Sequence, residues 1–307
     1  MNFTTLDSDD EQTDTQSIVH QLLIILYGLD NLRRTLSLED WRAFCQEHVY
    51  YHQIHKVLLK DCLTKQAFES PVENEDDAVL LDYLLGYQLP HHTPNNALAE
   101  SISDFMLFSD PAEAIRHRRD YIAGLIDDIV NQSNEVVSVL SIGAAHVREA
   151  DLSTAFDEYK IKRFIAYDWE ESHISFVKKV YAHLGIVPLK GTIDDLLNDA
   201  LPIGKYDLIY ATSMLNYVDK ELAHQLIQWM FDALHAHGMM LICHFRDEVS
   251  NTLYRTYMEA FMGWYIQYRT DTEIISLFSD INQDQVHELK FTTDPLCNIA
   301  YVLVKKV

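Results

Sequence analysis

The chain has 307 residues, with 47 acidic against 24 basic side chains and a formal net charge of −23 with histidine neutral. Apolar residues make up 48%, enough to bury a real core, which excludes an intrinsically disordered chain. So negative a field repels phosphate backbones and argues against a nucleic-acid substrate. Glycine, at 9 residues, is too scarce to favour a glycine-rich phosphate cradle.

In chain order, residues 1–14 carry Asp7, Asp9, Asp10, Glu11 and Asp14 and no basic residue. That is the opposite of a signal-peptide start, and the segment reads as a solvated acidic arm. The apolar stretch 18–29 is interrupted by His20 and Gln21 and is too short to span a bilayer, so no membrane insertion is expected. From residue 15 to about 129 the apolar residues recur at helical spacing, over 17–29, 37–60, 77–85 and 111–130. Ser37 with Asp40 three residues on resembles a capping box. Residues 89–96, with two prolines and two asparagines, read as a loop. Cys45, Cys62, Cys243 and Cys297 are scattered without a CxxC pair, which predicts reduced thiols in a cytoplasmic protein.

After Ser133 the rhythm changes to β-rich runs at 136–142, 163–168, 187–190, 206–211, 239–245, 286–292 and 299–305. Amphipathic segments at 149–159, 170–184, 193–200 and 219–236 fill most of the gaps between the first five. Apolar strands alternating with helices predict a parallel α/β sheet covered on both faces. The last two strands have no helix between them and should pair as an antiparallel hairpin. Five parallel strands with a terminal hairpin is the layout of class I S-adenosylmethionine (SAM) methyltransferases, a Rossmann-like seven-stranded sheet. The expected domains are an acidic arm over 1–14, an α-helical lid and substrate domain over 15–132, and a SAM-binding domain over 133–307.

In such a sheet the ligand lies at the carboxyl ends of the strands. The first strand ends in Gly143-Ala144-Ala145-His146. A small-residue turn there lets backbone N–H groups approach the methionine end of SAM, Gly143 taking an unusual φ and Ala144 and Ala145 keeping the wall low. The turn is not GxGxxG, which weakens a dinucleotide reading, and a tight connection with no ligand explains it as well. Asp168 ends the second strand at the spacing of an acid that accepts both ribose hydroxyls in bidentate fashion, with Trp169 stacking on or flanking adenine. The alternative for Asp168 is an N-cap opening the next helix. After the third strand, Ile193 backbone groups and the Asp194 carboxylate suit an adenine edge, while Asp195 reads as a first-turn helix acid. The fourth strand runs through Thr212 into Met214-Leu215-Asn216-Tyr217, a loop expected to face the sulfonium and the acceptor.

Several segments resemble one family. Residues 139–149 (VLSIGAAHVRE), 206–217, 238–245 and 257–270 (YMEAFMGWYIQYRT) are similar to the bacterial extracellular-factor methyltransferases, as are Asp61 to Glu69, Asp77 to Tyr83, and Ala114 to Arg119 against its AVRxRR element. The likeness runs over most of the chain from about His52. It implies an enzyme that makes 3-hydroxypalmitic acid methyl ester or a close relative as a cell-density signal. Three departures stand out. The family's ACGPARE turn has its first four residues replaced by Gly143-Ala144-Ala145-His146; its RGYAGD loop is Val72 to Asp77 here, keeping only the final Asp; and the usual Asp before the tyrosine of the fourth-strand loop is Asn216.

Methyl esterification asks chiefly for positioning, because a carboxylate is already a nucleophile at neutral pH. Donors must hold the carboxylate in line. The candidates are Tyr217 after the fourth strand, His244 and Arg246 after the fifth, and Tyr265, Tyr268 and Arg269 in the signature segment. Each has a plainer alternative: Arg269 as a structural ion-pair tie, Tyr265 with Trp264 as core, His244 as a satisfied core histidine, Arg246 as a solvated charge. The segment 261–268 and the helical half could line an apolar slot for an acyl chain. His52 and His55 at i and i+3 lack further ligands, so no metal is expected. The expected partner is thus a small-molecule acid and the cofactor SAM. A SAM-binding protein without turnover is the second reading, and a NAD-dependent oxidoreductase rests on fold analogy alone. The oligomeric state is left open, a homodimer included.

Overall fold

The computed structural model describes residues 15–69, 77–87, 97–157, 160–198, 204–247 and 252–307. The acidic arm, the loop at 89–96 with His91 and His92, and residues 72–76 of the altered loop therefore lie outside the described residues. In chain order the helices are α1 (Thr15–Arg33), α2 (Leu38–Phe44), α3 (Gln53–Leu58), α4 (Cys62–Glu69), α5 (Asp77–Leu84), α6 (Ala97–Leu107) and α7 (Asp110–Gln132). The strands and helices that follow are β1 (Val137–Ile142), β2 (Ile161–Asp168), α8 (Glu171–Tyr181), β3 (Ile186–Lys190), α9 (Ile193–Leu197), β4 (Tyr206–Ala211), α10 (Lys220–Asp232), β5 (Leu234–Phe245), α11 (Leu253–Phe261), α12 (Asp271–Ser276), β6 (Val286–Thr293) and β7 (Ile299–Lys306). Two compact units result, one of residues 1–113 and 250–265, the other of 114–249 and 266–307.

The first unit is helical. Glu259 of α11 is a buried carboxylate held by Arg33 of α1 at 2.6 Å and by Arg255 one turn back at 2.9 Å. Asp61 is also buried and caps α4, accepting from the Thr64 N–H and hydroxyl, both at 2.7 Å, and from Ser103. The continuous helix expected over 37–60 is broken. Ser37 caps α2 through the Asp40 N–H at 3.1 Å, a π-helical turn follows at Cys45–Val49, and His52 starts α3 by accepting from the Ile54 N–H.

The second unit carries the seven-stranded sheet in the order β3-β2-β1-β4-β5-β7-β6. The first five strands run parallel, and β7 lies antiparallel between β5 and β6. All six residues of β1 are buried, as a central strand covered on both faces must be. The far edge, β6, is exposed and carries Glu288 and Lys290, charges that discourage pairing with another chain. This is the class I methyltransferase fold.

Two amphipathic segments take other forms. Over 149–159 there is no α-helix among the described residues, only short 3₁₀ turns at Arg148–Asp151 and Thr154–Phe156. Asp127 of α7 explains this: it accepts from the Ser153 hydroxyl at 2.6 Å and from the Ala155 N–H at 3.0 Å, the latter a backbone donor that a helix would pair with a carbonyl one turn back. Helix α10 stops at Asp232 rather than 236. Residues 234–238 instead enter β5 through a register shift, with His237 at φ 63°. No helix among the described residues is long and apolar enough to cross a membrane, and their four cysteines are free, three of them buried.

Candidate functional site

The turn after β1 is tightly constrained. The N–H groups of Gly143 and Ala144 both donate to the Tyr167 carbonyl of β2, at 2.9 and 3.1 Å. Gly143 (φ 64°), Ala145 (φ 47°) and Val147 (φ 52°) are all left-handed. That conformation suits glycine but costs an ordinary residue roughly 1–2 kcal/mol, and a β-branched valine there is a true outlier. Such strain collects at functional sites. A Cβ added at Gly143 would lie 3.2 Å from Met214 Cβ and 3.6 Å from the Trp169 ring. The loops after β1, β2 and β4 therefore meet at one edge of the sheet, the carboxyl edge where ligands of this architecture bind.

Asp168 stands beside this turn and is buried. One of its oxygens accepts from the Ala145 N–H at 2.8 Å; the other accepts from the Glu170 N–H at 2.9 Å and faces His173 Nδ1 at 3.1 Å. A carboxylate offers about four acceptor sites, so one remains. The helix-opening bond and one spare acceptor position thus coexist on the same buried side chain, fewer positions than a bidentate grip on both ribose hydroxyls would use. His146 stacks on Phe176 of α8 with centroids 3.8 Å apart, and the Arg148 guanidinium sits 4.7 Å from the same ring. After β3, Thr192 and Asp195 form a complete capping box on α9, which gives Asp195 its helix-start role. Asp194 is exposed in the first turn of that helix and Ile193 is half-buried.

The loop after β4 is held from several sides. Arg118 of α7 donates to the Thr212 carbonyl at 2.9 Å. Asn216 is buried and accepts on its side-chain oxygen from the Phe245 N–H at 3.1 Å, and on its carbonyl from the Gln267 N–H at 2.8 Å. Arg269 donates to the carbonyls of Leu215 (2.6 Å) and Val218 (2.7 Å), to the Gln267 side chain (2.8 Å) and to His244 Nε2. Because His244 accepts on Nε2, its proton sits on Nδ1, 2.7 Å from the Phe245 carbonyl. Burial, with Arg269 adding its charge, pushes the His244 pKa from its ordinary 6.5 down to about 4. It is therefore a neutral imidazole at physiological pH.

Arg246 makes a bidentate pair with Asp271, both contacts at 2.6 Å, and donates to the Cys297 carbonyl at 2.8 Å. The Tyr268 ring packs on Phe245 at 6.0 Å. Tyr217 closes the 3₁₀ turn after β4 and is exposed. The second unit thus gathers Tyr217, His244, Arg246, Tyr268 and Arg269 around the ends of β4 and β5. Tyr265 belongs to the first unit, where Arg42 lies 4.5 Å from its ring and burial drives its phenol pKa far up.

One cluster escaped the sequence reading as a site. Glu149 is buried, bonds the Tyr210 hydroxyl and has its carboxyl pKa raised by burial. Arg118 lies near enough to Glu149 for their charges to interact, and burial pushes the nearby Cys243 thiol up to about 12, which keeps it neutral. Tyr121 stacks flat on Tyr301, centroids 4.6 Å apart. The visible signals were the Arg148-Glu149 pair ending the first-strand motif and the arginines of residues 114–119. Among the described residues no group of three or more His, Cys, Asp or Glu is placed to hold a metal ion.

No protein-family model matches the sequence, and no curated protein matches it. Solved structures do. A protein of Bordetella parapertussis, described as a possible exported protein, aligns over 100% of this chain and 99% of its own at 13% identity and TM-score 0.60. The magnesium protoporphyrin IX methyltransferase of Synechocystis, with bound S-adenosylhomocysteine, aligns over 65% of this chain and 88% of its own at 12% identity and TM-score 0.46. An O-methyltransferase family protein of Burkholderia thailandensis aligns over 64% and 58% at 14% identity and TM-score 0.46. Likeness at such identities is one of architecture alone.

Proposed function

We propose that the chain is a SAM-dependent O-methyltransferase acting on a small carboxylic acid, a 3-hydroxy fatty acid in the sharpest form of the reading, with a methyl ester as product. The observation that carries it is the strained turn at Gly143 beside Asp168, on the carboxyl edge of a sheet ordered β3-β2-β1-β4-β5-β7-β6. Asp168 keeps its three present contacts and takes one ribose hydroxyl at its remaining acceptor site. Trp169, Ile193 and Asp194 flank the adenine, and Gly143, Ala144, Ala145 and Thr212 border the methionine end. SAM supplies a methyl group made electrophilic by its sulfonium.

The chain's own task is positioning. The acceptor carboxylate needs no strong base, so the rate gain comes from in-line alignment. His244, Arg246 and Arg269 serve by holding the β4 and β5 loops in shape, because each already bonds groups of the chain itself. Tyr217, exposed on the β4 loop, is the side chain best suited to touch the acceptor. Calorimetry with SAM, followed by mass spectrometry for methyl esters across a panel of 3-hydroxy acids, tests the reading. Asp168→Ala is expected to weaken SAM binding by about 1–3 kcal/mol, the worth of a charged hydrogen bond. Unchanged affinity in that variant would sink the ribose assignment.

A second reading, SAM binding without turnover, draws on Ala145 and Val147 occupying left-handed positions that suit glycine. Tight SAM binding with no S-adenosylhomocysteine formed from any acid would favour it. No SAM binding at all would end both.

A further inference from the structure

One face of the sheet carries a buried polar cluster that the methyl-transfer reading leaves unused. Ile209, Ala211, Ile242 and Val302 belong to the apolar core on the other face. Strand alternation therefore puts Tyr210, Cys243 and Tyr301 together, opposite that core. Helix α7 covers them, because its Tyr121 stacks flat on Tyr301. Arg118 stands three residues before Tyr121, on the same side of α7. It donates to the carbonyl of Thr212, the residue after β4. Cys243, close to the end of β5, pairs across the ladder with Tyr301 of β7. The cluster thus sits at the carboxyl ends of β4 and β5, wholly within the second unit.

Two of its groups have donors to spare. Arg118 is 6% exposed. Its guanidinium offers several N–H donors. Among the described residues the Thr212 carbonyl is its one hydrogen-bond partner, and no carboxylate stands within ion-pair distance. Glu149 lies near enough for its charge to be felt, but its carboxyl bonds Tyr210 instead, and burial favours its neutral form. A buried cation without a bonded anion is costly, and the chain has 47 acidic side chains from which a partner could have been drawn. Tyr301 is 3% exposed, and its hydroxyl has no hydrogen-bond partner. Burial pushes its phenol pKa up, so the hydroxyl keeps its proton and remains a donor. The Arg118 charge is close enough to act on that phenol.

We propose that Arg118 and Tyr301 form a carboxylate-binding site, and that its ligand is the carboxylate of the methyl acceptor. A planar guanidinium fork matches the two oxygens of a carboxylate, and the phenol adds a further hydrogen bond. One positive charge balances a monoanion and leaves a phosphate dianion uncompensated. The identity of the ligand rests on the methyl-transfer reading; the site itself does not. Arg246 and Arg269 are committed to groups of the chain itself, which leaves Arg118 as the buried cation at this edge with donors free for an acid. The ester product carries no negative charge, so it loses the ion pair and is held more weakly than the acid.

The site is tested by the thermal midpoint of the full chain, without SAM, in sodium acetate against sodium chloride at equal ionic strength. Acetate should raise the midpoint of the wild type, as a ligand of the folded state does. The rise should vanish in Arg118→Gln, whose amide still bonds the Thr212 carbonyl. Tyr301→Phe keeps the ring stack and removes only the unbonded hydroxyl. Its midpoint in chloride should hold or rise while the acetate effect shrinks, a pair of results that a merely structural role does not give. Should Arg118→Gln fold poorly, Arg118→Lys keeps the charge without the fork and should give a reduced rise. No acetate effect in the wild type, or one indifferent to the Arg118 variants and to Tyr301→Phe, overturns the site. The ligand is then read from kinetics with whichever 3-hydroxy acid is methylated. Arg118→Gln should raise KM for that acid by at least about tenfold, the worth of a charged hydrogen bond, with SAM affinity by calorimetry unchanged. Weakened SAM binding with the acid KM unmoved overturns the acceptor assignment and gives the site to the methionine carboxylate. Failure of the wild type to methylate any acid ends the methyl-transfer reading and the acceptor assignment together, while the acetate comparison still judges the site by itself.

Discussion

Ala145 and Val147 hold left-handed backbone where glycine would be at ease, so the first-strand turn carries strain in exchange for its shape. Replacing Ala145 by glycine relieves roughly 1–2 kcal/mol in the folded state and returns a part of it as extra freedom of the unfolded chain. A net gain of about 0.5–1 kcal/mol in chemical denaturation is expected; a loss would mean that the alanine methyl is itself packed usefully. His244 makes a second prediction at this scale. Its pKa lies near 4 in the folded protein against an ordinary 6.5, so between those values the unfolded chain binds more protons. Stability therefore rises with pH through that window, is fully present above about 6.5, and falls on acidification by on the order of 3 kcal/mol at pH 4. The His244→Gln variant should lose that slope in urea melts at pH 4.5 and 7. Glu149 works in the opposite sense: its raised carboxyl pKa adds stability at low pH that is lost as pH rises through that value.

Among elements, the loop after β4 depends on a side chain far along the chain. Arg269 bonds two of its carbonyls and His244 together, all of them buried. Arg269→Ala leaves those acceptors without a donor and is expected to cost about 3 kcal/mol. Lysine should recover less than half, because a point charge cannot span several acceptors as a planar fork does. Full recovery by lysine in equilibrium unfolding would show that charge, not geometry, is what the loop needs. Periodicity made the strands legible: β4 begins and ends at the residues expected, and β1, β2, β3, β6 and β7 differ by at most two at either end. The segment 149–159 was misread for a physical reason. Its amphipathic spacing is helical, yet Asp127 and Tyr210, both distant in sequence, bond its polar groups. The π-helical turn was equally invisible, because a single inserted residue leaves the surrounding period almost unchanged.

For the whole molecule, the net charge of −23 is the dominant fact. Like charges repel most in the compact state, and salt screens them. Raising ionic strength from about 0.01 to 0.15 M shortens the Debye length from roughly 30 to 8 Å. The thermal midpoint is therefore expected to rise by a few degrees, about 1 kcal/mol for a chain of this size. A flat or falling midpoint would show that local ion pairs such as Arg246 with Asp271 outweigh the net field. The same charge bears on function: an anionic acceptor needs a local donor, and Arg246 and Arg269 are already bonded within the chain.

The sequence by itself determined the strand alternation, the terminal hairpin, the glycine turn followed by Asp168 and the surplus of acid, because each is written in local spacing or in composition. Only the tertiary structure decided what the polar side chains do. Asp168 divides its oxygens between Ala145, Glu170 and His173. Arg269 and His244 bond the β4 and β5 loops. The signature segment divides, with Tyr265 in the helical unit and Tyr268 and Arg269 with the sheet. A side chain's role follows from the donors and acceptors that folding brings within about three ångströms, and those partners range from near neighbours, as Glu170 is to Asp168, to residues far along the chain, as Glu259 is to Arg33. Backbone periodicity is local and can be read along a sequence; the pairing of buried polar groups is not.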